Sequence, residues 1–424
     1  MSRRYRVSQV MVILACAGLL AAQTGCGRGG GGGNGGGGGG NNGNGTPTPT
    51  SVVVPPTQAI VVGGGGNISD IAKGYPDGVQ ITVGSGSYPP IQFERGDFRG
   101  PVTLIADDSE GPVTINGRGH AAAIDVEGID LFEVDGFQII GGTEAVVKAV
   151  DSVDVILQNN TMMLSDGDGV HLETCAGVLV FDNLIIENGG AGVAALGQNT
   201  IEIINNTFYS NNGGGIVVRR LAVPGDSIPS AFAFLQNNII DNNNGFGILV
   251  DPSSTTGFQS LNNLNNDGYS GVQPGSRDLT ADPMFISPPR RNFRLQVATG
   301  SGGSPAFDRG DPATDPFFIA TLETRTTRVD SFLDNAPPDL GYHYPNGIFS
   351  PTPVPTWTPT GVVVPPPQPT NTRPAQVTST RPTSGPTATP TPTSPAGTIN
   401  PTSTPTATAT PIQFTPTRTR PVGG

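Results

Sequence analysis

Only two lysines and three histidines occur in this 424-residue chain, and one of each falls at an equivalent place in a repeated segment. Lys148 and His171 are 23 residues apart, the same step that separates Asp125 from Lys148. Two residues beyond those positions stand Glu127, Val150 and Glu173, and the same step then leads through Leu196 to Arg219. A Lys, Arg or His can remove the proton next to a sugar carboxylate, and nearby cations can stabilise the charge that develops. The expected catalytic residues are therefore Lys148, His171 and Arg219, with Asp125, Glu127 and Glu173 binding substrate, as in a polyuronate lyase or hydrolase. The competing reading is cross-strand charge pairing on a solvated sheet face, worth ~0.2–1 kcal/mol per pair.

These residues can meet only if the chain returns to the same place every 23 residues, and a second pattern says that it does. The stretches VILQNNT, VLVFDNL, IEIINNT, FAFLQNNI and SLNNL share an apolar alternation that ends in an Asn. The matching residues are Asn160, Asn183, Asn206, Asn238 and Asn263, spaced by 23, 23, 32 and 25 residues. A period in the low twenties with two-residue alternation means stacked β-coils, each too small to bury its own apolar side. Aligned this way, one inward column reads Ile124, Val147, Val170, Val193, Ile216, Ile248, and a second reads Val126, Ala149, Leu172, Ala195, Val218, Val250. Every member is apolar, as the inner face of a strand requires. The outward positions between them place Asp125, Lys148 and His171 on consecutive rungs ~4.8 Å apart. The asparagines occupy a turn, where their amides can satisfy the backbone of the coils above and below.

With these features the chain resembles the right-handed parallel β-helix proteins of the pectin-lyase-like superfamily. ITVGSGSY (Ile81 to Tyr88) resembles the first coil of such domains. The stretch from Ala281 to Pro312, with DLGYHY (Asp339 to Tyr344), resembles their C-terminal closing segment. The resemblance implies an all-β fold, a single-stranded right-handed parallel β-helix. It also implies polysaccharide chemistry of several kinds, with a non-catalytic adhesion or structural surface protein as the alternative. Lyases of that superfamily commonly use a Lys or Arg base with calcium held by acidic residues, which Asp125, Glu127 and Glu173 could imitate. No other cofactor is expected, and no paired-Asp box or Gly-His-Gly of the polygalacturonases is present.

Composition separates this core from its ends. Charged residues are 13% of the chain, and its 61 Gly and 41 Pro include long biased segments at both ends. Residues 1–25 read as an export signal, with Arg3, Arg4 and Arg6 before the apolar run from Val10 to Ala22. The stretch from Leu20 to Cys26 resembles a bacterial lipoprotein cleavage site, making Cys26 the expected lipid attachment point. Residues 26–57 then form a Gly/Asn and Thr/Pro tether, 58–345 the β-helix domain, and 346–424 a disordered Pro/Thr-rich tail. The expected localisation is exported: at the cell surface through a lipid anchor, or secreted. A net charge of −12 argues against nucleic acid and favours solubility outside the cell, and the expected partner is a polysaccharide or glycan. Oligomeric state is left open.

Other motifs read as structure. Asp166-Gly-Asp168-Gly could suggest calcium, but Gly and Asn occupy the equivalent rungs, which points to turn chemistry. Cys175 reads as a packed turn residue. Arg95-Gly-Asp97 and Arg309-Gly-Asp311 are three-residue matches of the kind chance supplies. The 32-residue interval adds nine residues after Arg219 and predicts a loop that could shelter outward Leu196 and Val217.

Overall fold

Alternating apolar residues that recur every 23 positions can hide from water only by stacking, and the computed structural model shows that stack. It describes residues 59–345 apart from 64, 224–225, 229–231, 256 and 298–301. The expected export signal, the whole of the tether and the tail lie outside the described residues. Each turn contributes one strand to each of three parallel sheets, the first of nine strands and the other two of eight. The first sheet runs from Ala59–Val62 to Phe258–Leu261, the second from Gly86–Tyr88 to Leu264–Asn265, and the third from Ile91–Phe93 to Tyr269–Ser270. The solenoid is right-handed and has about eight turns. It starts one strand earlier than ITVGSGSY suggested, because Ala59–Val62 pairs with the strand Val79–Gly84.

The register agrees with the sequence alignment residue for residue. Ile124, Val147, Val170, Val193, Ile216 and Ile248 pair in one row, and Val126, Ala149, Leu172, Ala195, Val218 and Val250 in the next. All are at most 1% exposed. Burying each Val, Ile or Leu of the two rows stabilises the stack by roughly 1.5–3 kcal/mol.

The asparagines form a continuous ladder between the first and second sheets. The backbone N–H of Asn160 donates to Asn183 Oδ1 at 2.9 Å, and the pattern continues through Asn206, Asn238 and Asn263. Each Nδ2 also donates to a carbonyl of the preceding coil, such as Val134 for Asn160 and Leu157 for Asn183. The preceding residues Asn159, Asp182, Asn205, Asn237 and Asn262 all have positive φ, which Asn and Asp tolerate better than other residues with a side chain. A second ladder, absent from the sequence reading, runs through Ser165, Asn188, Asn211 and Asn243 at the next corner. Its signal was available, since Asn188, Asn211 and Asn243 repeat the 23- and 32-residue spacing. Both ladders end on an aspartate: Asp278 accepts from Asn263 N and Asp267 from Asn243 N. A carboxylate accepts the last N–H and needs no further acceptor, so it terminates a ladder cleanly.

The N-terminal end is covered by a short helix, Ile68–Lys73, capped by Asn67 and burying Ile68 and Ala72. At the other end the C-terminal segment leaves the stack. Beyond the last paired residue of the stack, Leu279, it lies along the flank of the solenoid. Phe285, Phe293, Leu295, Leu340 and Tyr342 pack on Met163, Leu184, Ile186 and Ile239, outward residues of the second sheet. The helix Pro316–Leu322 lays Phe318 against Phe181 and Ile204 of the first sheet. The physical reason is that these outward positions are apolar, so two of the three outer faces require a cover. The third sheet keeps polar groups on the part of its outer face around Asp125, Lys148 and His171.

Candidate functional site

The third sheet presents the predicted residues on one face. In the strand pairing, Lys148 sits between Asp125 and His171, and Val150 between Glu127 and Glu173. Asp125, Glu127, Lys148, His171 and Glu173 therefore gather on three consecutive rungs. Arg219 is exposed and lies two rungs beyond Glu173, past Leu196, while Glu127 lies two rungs to the other side. The structure brings five of the six predicted residues onto three consecutive rungs and leaves Arg219 at the margin.

Two acidic partners that sequence reasoning missed decide the local chemistry. Lys148 Nζ donates to Glu144 Oε2 at 2.7 Å. His171 is held between two carboxylates, with Nδ1 2.8 Å from Asp168 Oδ2 and Nε2 2.9 Å from Glu173 Oε1. Glu144 and Asp168 belong to the corner where the chain enters the third sheet. Asp168 also accepts from Ala191 N through Oδ1 at 2.8 Å, so the turn role expected of Asp166-Gly-Asp168 is present alongside a role at the site.

The charges follow from these contacts. The Glu144 hydrogen bond raises the Lys148 pKa above the usual lysine range despite partial burial. The same contact holds Glu144 below the ordinary carboxylate range. Asp168 raises the His171 pKa, burial opposes it, and Glu173 adds to the rise. Burial pushes Asp125 upward while Lys148 pulls it down. Lys148 is thus held as a cation at neutral pH, which suits fixing a negative or hydroxyl-bearing group better than abstracting a proton. A base needs a pKa near the working pH. His171, favoured in its protonated form, donates both ring N–H groups to Asp168 and Glu173 and so fixes these two carboxylates.

Carboxylates outnumber cations here: Asp125, Glu127, Glu144, Asp168 and Glu173 surround Lys148 and His171. Glu127 and Glu173 lie two rungs apart, and among the described residues no three His, Cys, Asp or Glu side chains stand together as a cation site. Toward the C-terminal end the face becomes apolar, with Ala194 and Val217 5% exposed and packed with Ala191 and Leu249. The predicted loop after Arg219 forms a hairpin, Leu221–Val223 pairing with Asp226–Ile228. Cys175 is buried and accepts no catalytic role: its thiol is pushed up to about 11 by burial, and its backbone N–H donates to Asn199 Oδ1.

Residues 122–278 match the family model described as right handed beta helix region. No curated protein matches the sequence. Among solved structures, the A-module of a mannuronan C-5 epimerase from Azotobacter vinelandii is 13% identical, with 54% of this chain and 90% of that one covered and a TM-score of 0.24. A pectin methylesterase from Aspergillus niger is 15% identical over 54% and 90% of the two chains, with a TM-score of 0.28. A pectate lyase is 12% identical over 69% and 97%, with a TM-score of 0.30. Similarity this low concerns the fold alone, and the fold rests on the strand topology described above.

Proposed function

We propose that this protein binds an extracellular polysaccharide along the outer face of its third sheet, with Lys148 and His171 at the centre of the contact. The observation that carries the reading is the paired arrangement on adjacent rungs, Lys148 held by Glu144 and His171 held by Asp168 and Glu173. Fixed charged and polar groups on a partly exposed face suit a ligand rich in hydroxyl groups, which both donate and accept. Titration of the full chain against a panel of polysaccharides tests this. Binding should weaken at least tenfold in Lys148→Ala and in His171→Ala, and unchanged affinity in both variants would remove the site.

Cleavage is the second reading, favoured by the placement of protonated His171 against two carboxylates. A lyase acting on a polyuronate would release unsaturated products that absorb in the ultraviolet. Turnover that survives His171→Ala would exclude this role.

Export and attachment through a lipid on Cys26 belong to the same proposal, supported by the apolar run and the cleavage-site resemblance at the N-terminus. The segments 26–57 and 346–424 would then space the solenoid from its surroundings. Labelling with a radioactive fatty acid should mark the wild-type chain and fail with Cys26→Ser. Equal labelling of both would refute the anchor.

A further inference from the structure

A groove of about 590 Å³ runs along the corner between the second and third sheets. One wall carries Arg118, Leu164 and Glu187, and the other Thr143, Asp166 and Asn212. All six come from the same corner, and the groove crosses five successive coils parallel to the solenoid axis. At ~4.8 Å per rung that is a channel roughly 19 Å long. Gly142 is required at this corner, because its φ is +119° and a Cβ there would collide with the Ala145 carbonyl. Glu144 follows Thr143 directly and Asp168 stands two residues after Asp166, so the groove borders the Lys148 and His171 pairs.

Three features define what could occupy it. First, its charge cancels. The lining carries one cation, Arg118, and one free-standing carboxylate position, Asp166, while Glu187 is neutralised by Arg291, which is 6% exposed and binds it through Nε at 3.2 Å and Nη2 at 2.5 Å. A polyanion would find no net attraction there and would meet a chain of net charge −12. Second, the backbone of the corner is already paired between coils: Asp166 N with Gly142 O, Gly189 N with Ser165 O, and Asn212 N with Asn188 O. A peptide strand would therefore find no unpaired sheet edge to join. Third, the lining offers both donors and acceptors, with Arg118, Thr143, Asp166 and Asn212 all exposed. Hydroxyl groups, which both donate and accept, match such a lining.

We propose that this groove is the cleft for a linear, uncharged oligosaccharide lying parallel to the solenoid axis. The proposal rests on the polysaccharide-binding reading and narrows it to a neutral glycan, whereas the sequence had suggested an acidic one.

The test titrates the full chain with cellohexaose, xylohexaose, laminarihexaose and hexagalacturonate, and repeats the titration with Thr143→Trp and Asn212→Trp. Both positions are exposed, so the bulky residues should fill the groove without unfolding the chain, which circular dichroism checks. The expected result is binding of at least one neutral hexasaccharide, weakened tenfold or more in both variants. Binding that is equal in wild type and both tryptophan variants overturns the groove and leaves the polysaccharide reading standing. Binding of hexagalacturonate alone overturns the neutral class and leaves that reading standing. A Gly/Ser/Thr decapeptide that displaces the bound sugar also overturns the proposal, and no binding to any of the four sugars sinks the inference and the reading together.

Discussion

Nε2 of His343 lies 2.7 Å from Oδ2 of Asp334, and both side chains are almost completely hidden from solvent. The other ring nitrogen, Nδ1, faces the Gly341 carbonyl at 2.8 Å, and a carbonyl can only accept. Asp334 Oδ2 also accepts from Asp339 N, so it too serves as an acceptor. His343 is therefore a buried imidazolium. Burial opposes the charge, but the Asp182 and Asp334 carboxylates outweigh it and raise the pKa to about 10. Arg325 adds a second cation 3.5 Å from Asp182. This cluster ties the C-terminal segment to the Asp182 turn of the solenoid.

The pH dependence of that tie has a defined sign. The folded pKa of His343 is raised above the ordinary histidine value of 6.5, so its contribution is fully present below about 6.5 and is lost as pH rises through about 10. Burial, and then the Asp334 charge, raise Asp339 to about 6, so its proton also favours the folded state in acid and that contribution is lost as pH rises toward neutrality. Thermal unfolding of the full chain should therefore show a falling Tm between pH 8 and 11. His343→Ala leaves buried carboxylates uncompensated and should cost about 3–5 kcal/mol near pH 6. The gap from wild type should shrink above pH 10, and a gap independent of pH would contradict the imidazolium.

The asparagine ladder makes a second quantitative test. Asn183→Ala removes the acceptor of Asn160 N and the donor to Leu157 O, leaving both buried without replacement. The expected loss is about 1–3 kcal/mol in denaturant unfolding. Asn244, exposed on the same solenoid, should tolerate alanine within roughly 0.5 kcal/mol.

Glu144 should tune Lys148 without stabilising the fold. The Glu144 side chain is 57% exposed, and surface ion pairs of this kind contribute at most about 1 kcal/mol. Glu144→Gln should leave Tm nearly unchanged yet lower the pKa of Lys148. Acetylation followed by mass spectrometry reads this directly, because Lys73 is the only other lysine and serves as the internal reference. Faster labelling of Lys148 in the variant is expected, and an unchanged Lys148 to Lys73 ratio would argue against the pairing.

The helix Pro316–Leu322 should hold the flanking segment through its aromatic contact. Phe318 packs with its ring centroid 4.6 Å from that of Phe181, and both side chains are buried. Phe318→Ala should cost about 3–5 kcal/mol and expose apolar residues of the first sheet. Increased binding of a hydrophobic dye with the far-ultraviolet β signal retained would report release of the flank alone.

Much of the scaffold was legible because it repeats. Asn160, Asn183, Asn206, Asn238 and Asn263 announced the turn, and the apolar columns through Val147 and Ala149 followed from the same period. The juxtaposition of Asp125, Lys148 and His171 was legible for the same reason. Their partners were not. Glu144 and Asp168 sit at a corner where the chain changes direction, and neither alternation nor period says which way such a side chain turns. The flanking segment was hidden more deeply, since its contacts join residues far apart in sequence with no repeat between them, as from His343 to Asp182, 161 positions away.

The sequence by itself determined the coil, its register and the row on which Lys148 and His171 stand. A stacked repeat meets its own copies at a fixed interval, so one-dimensional spacing already encodes the three-dimensional neighbour. Only the tertiary structure decided that His171 is gripped by two carboxylates, that Lys148 is held as a cation, and that the C-terminal segment covers the outer flank of the solenoid. Those outcomes depend on side-chain direction at corners and on aperiodic long-range packing, where the free energy of burial and charge pairing is set by neighbours that no local pattern specifies.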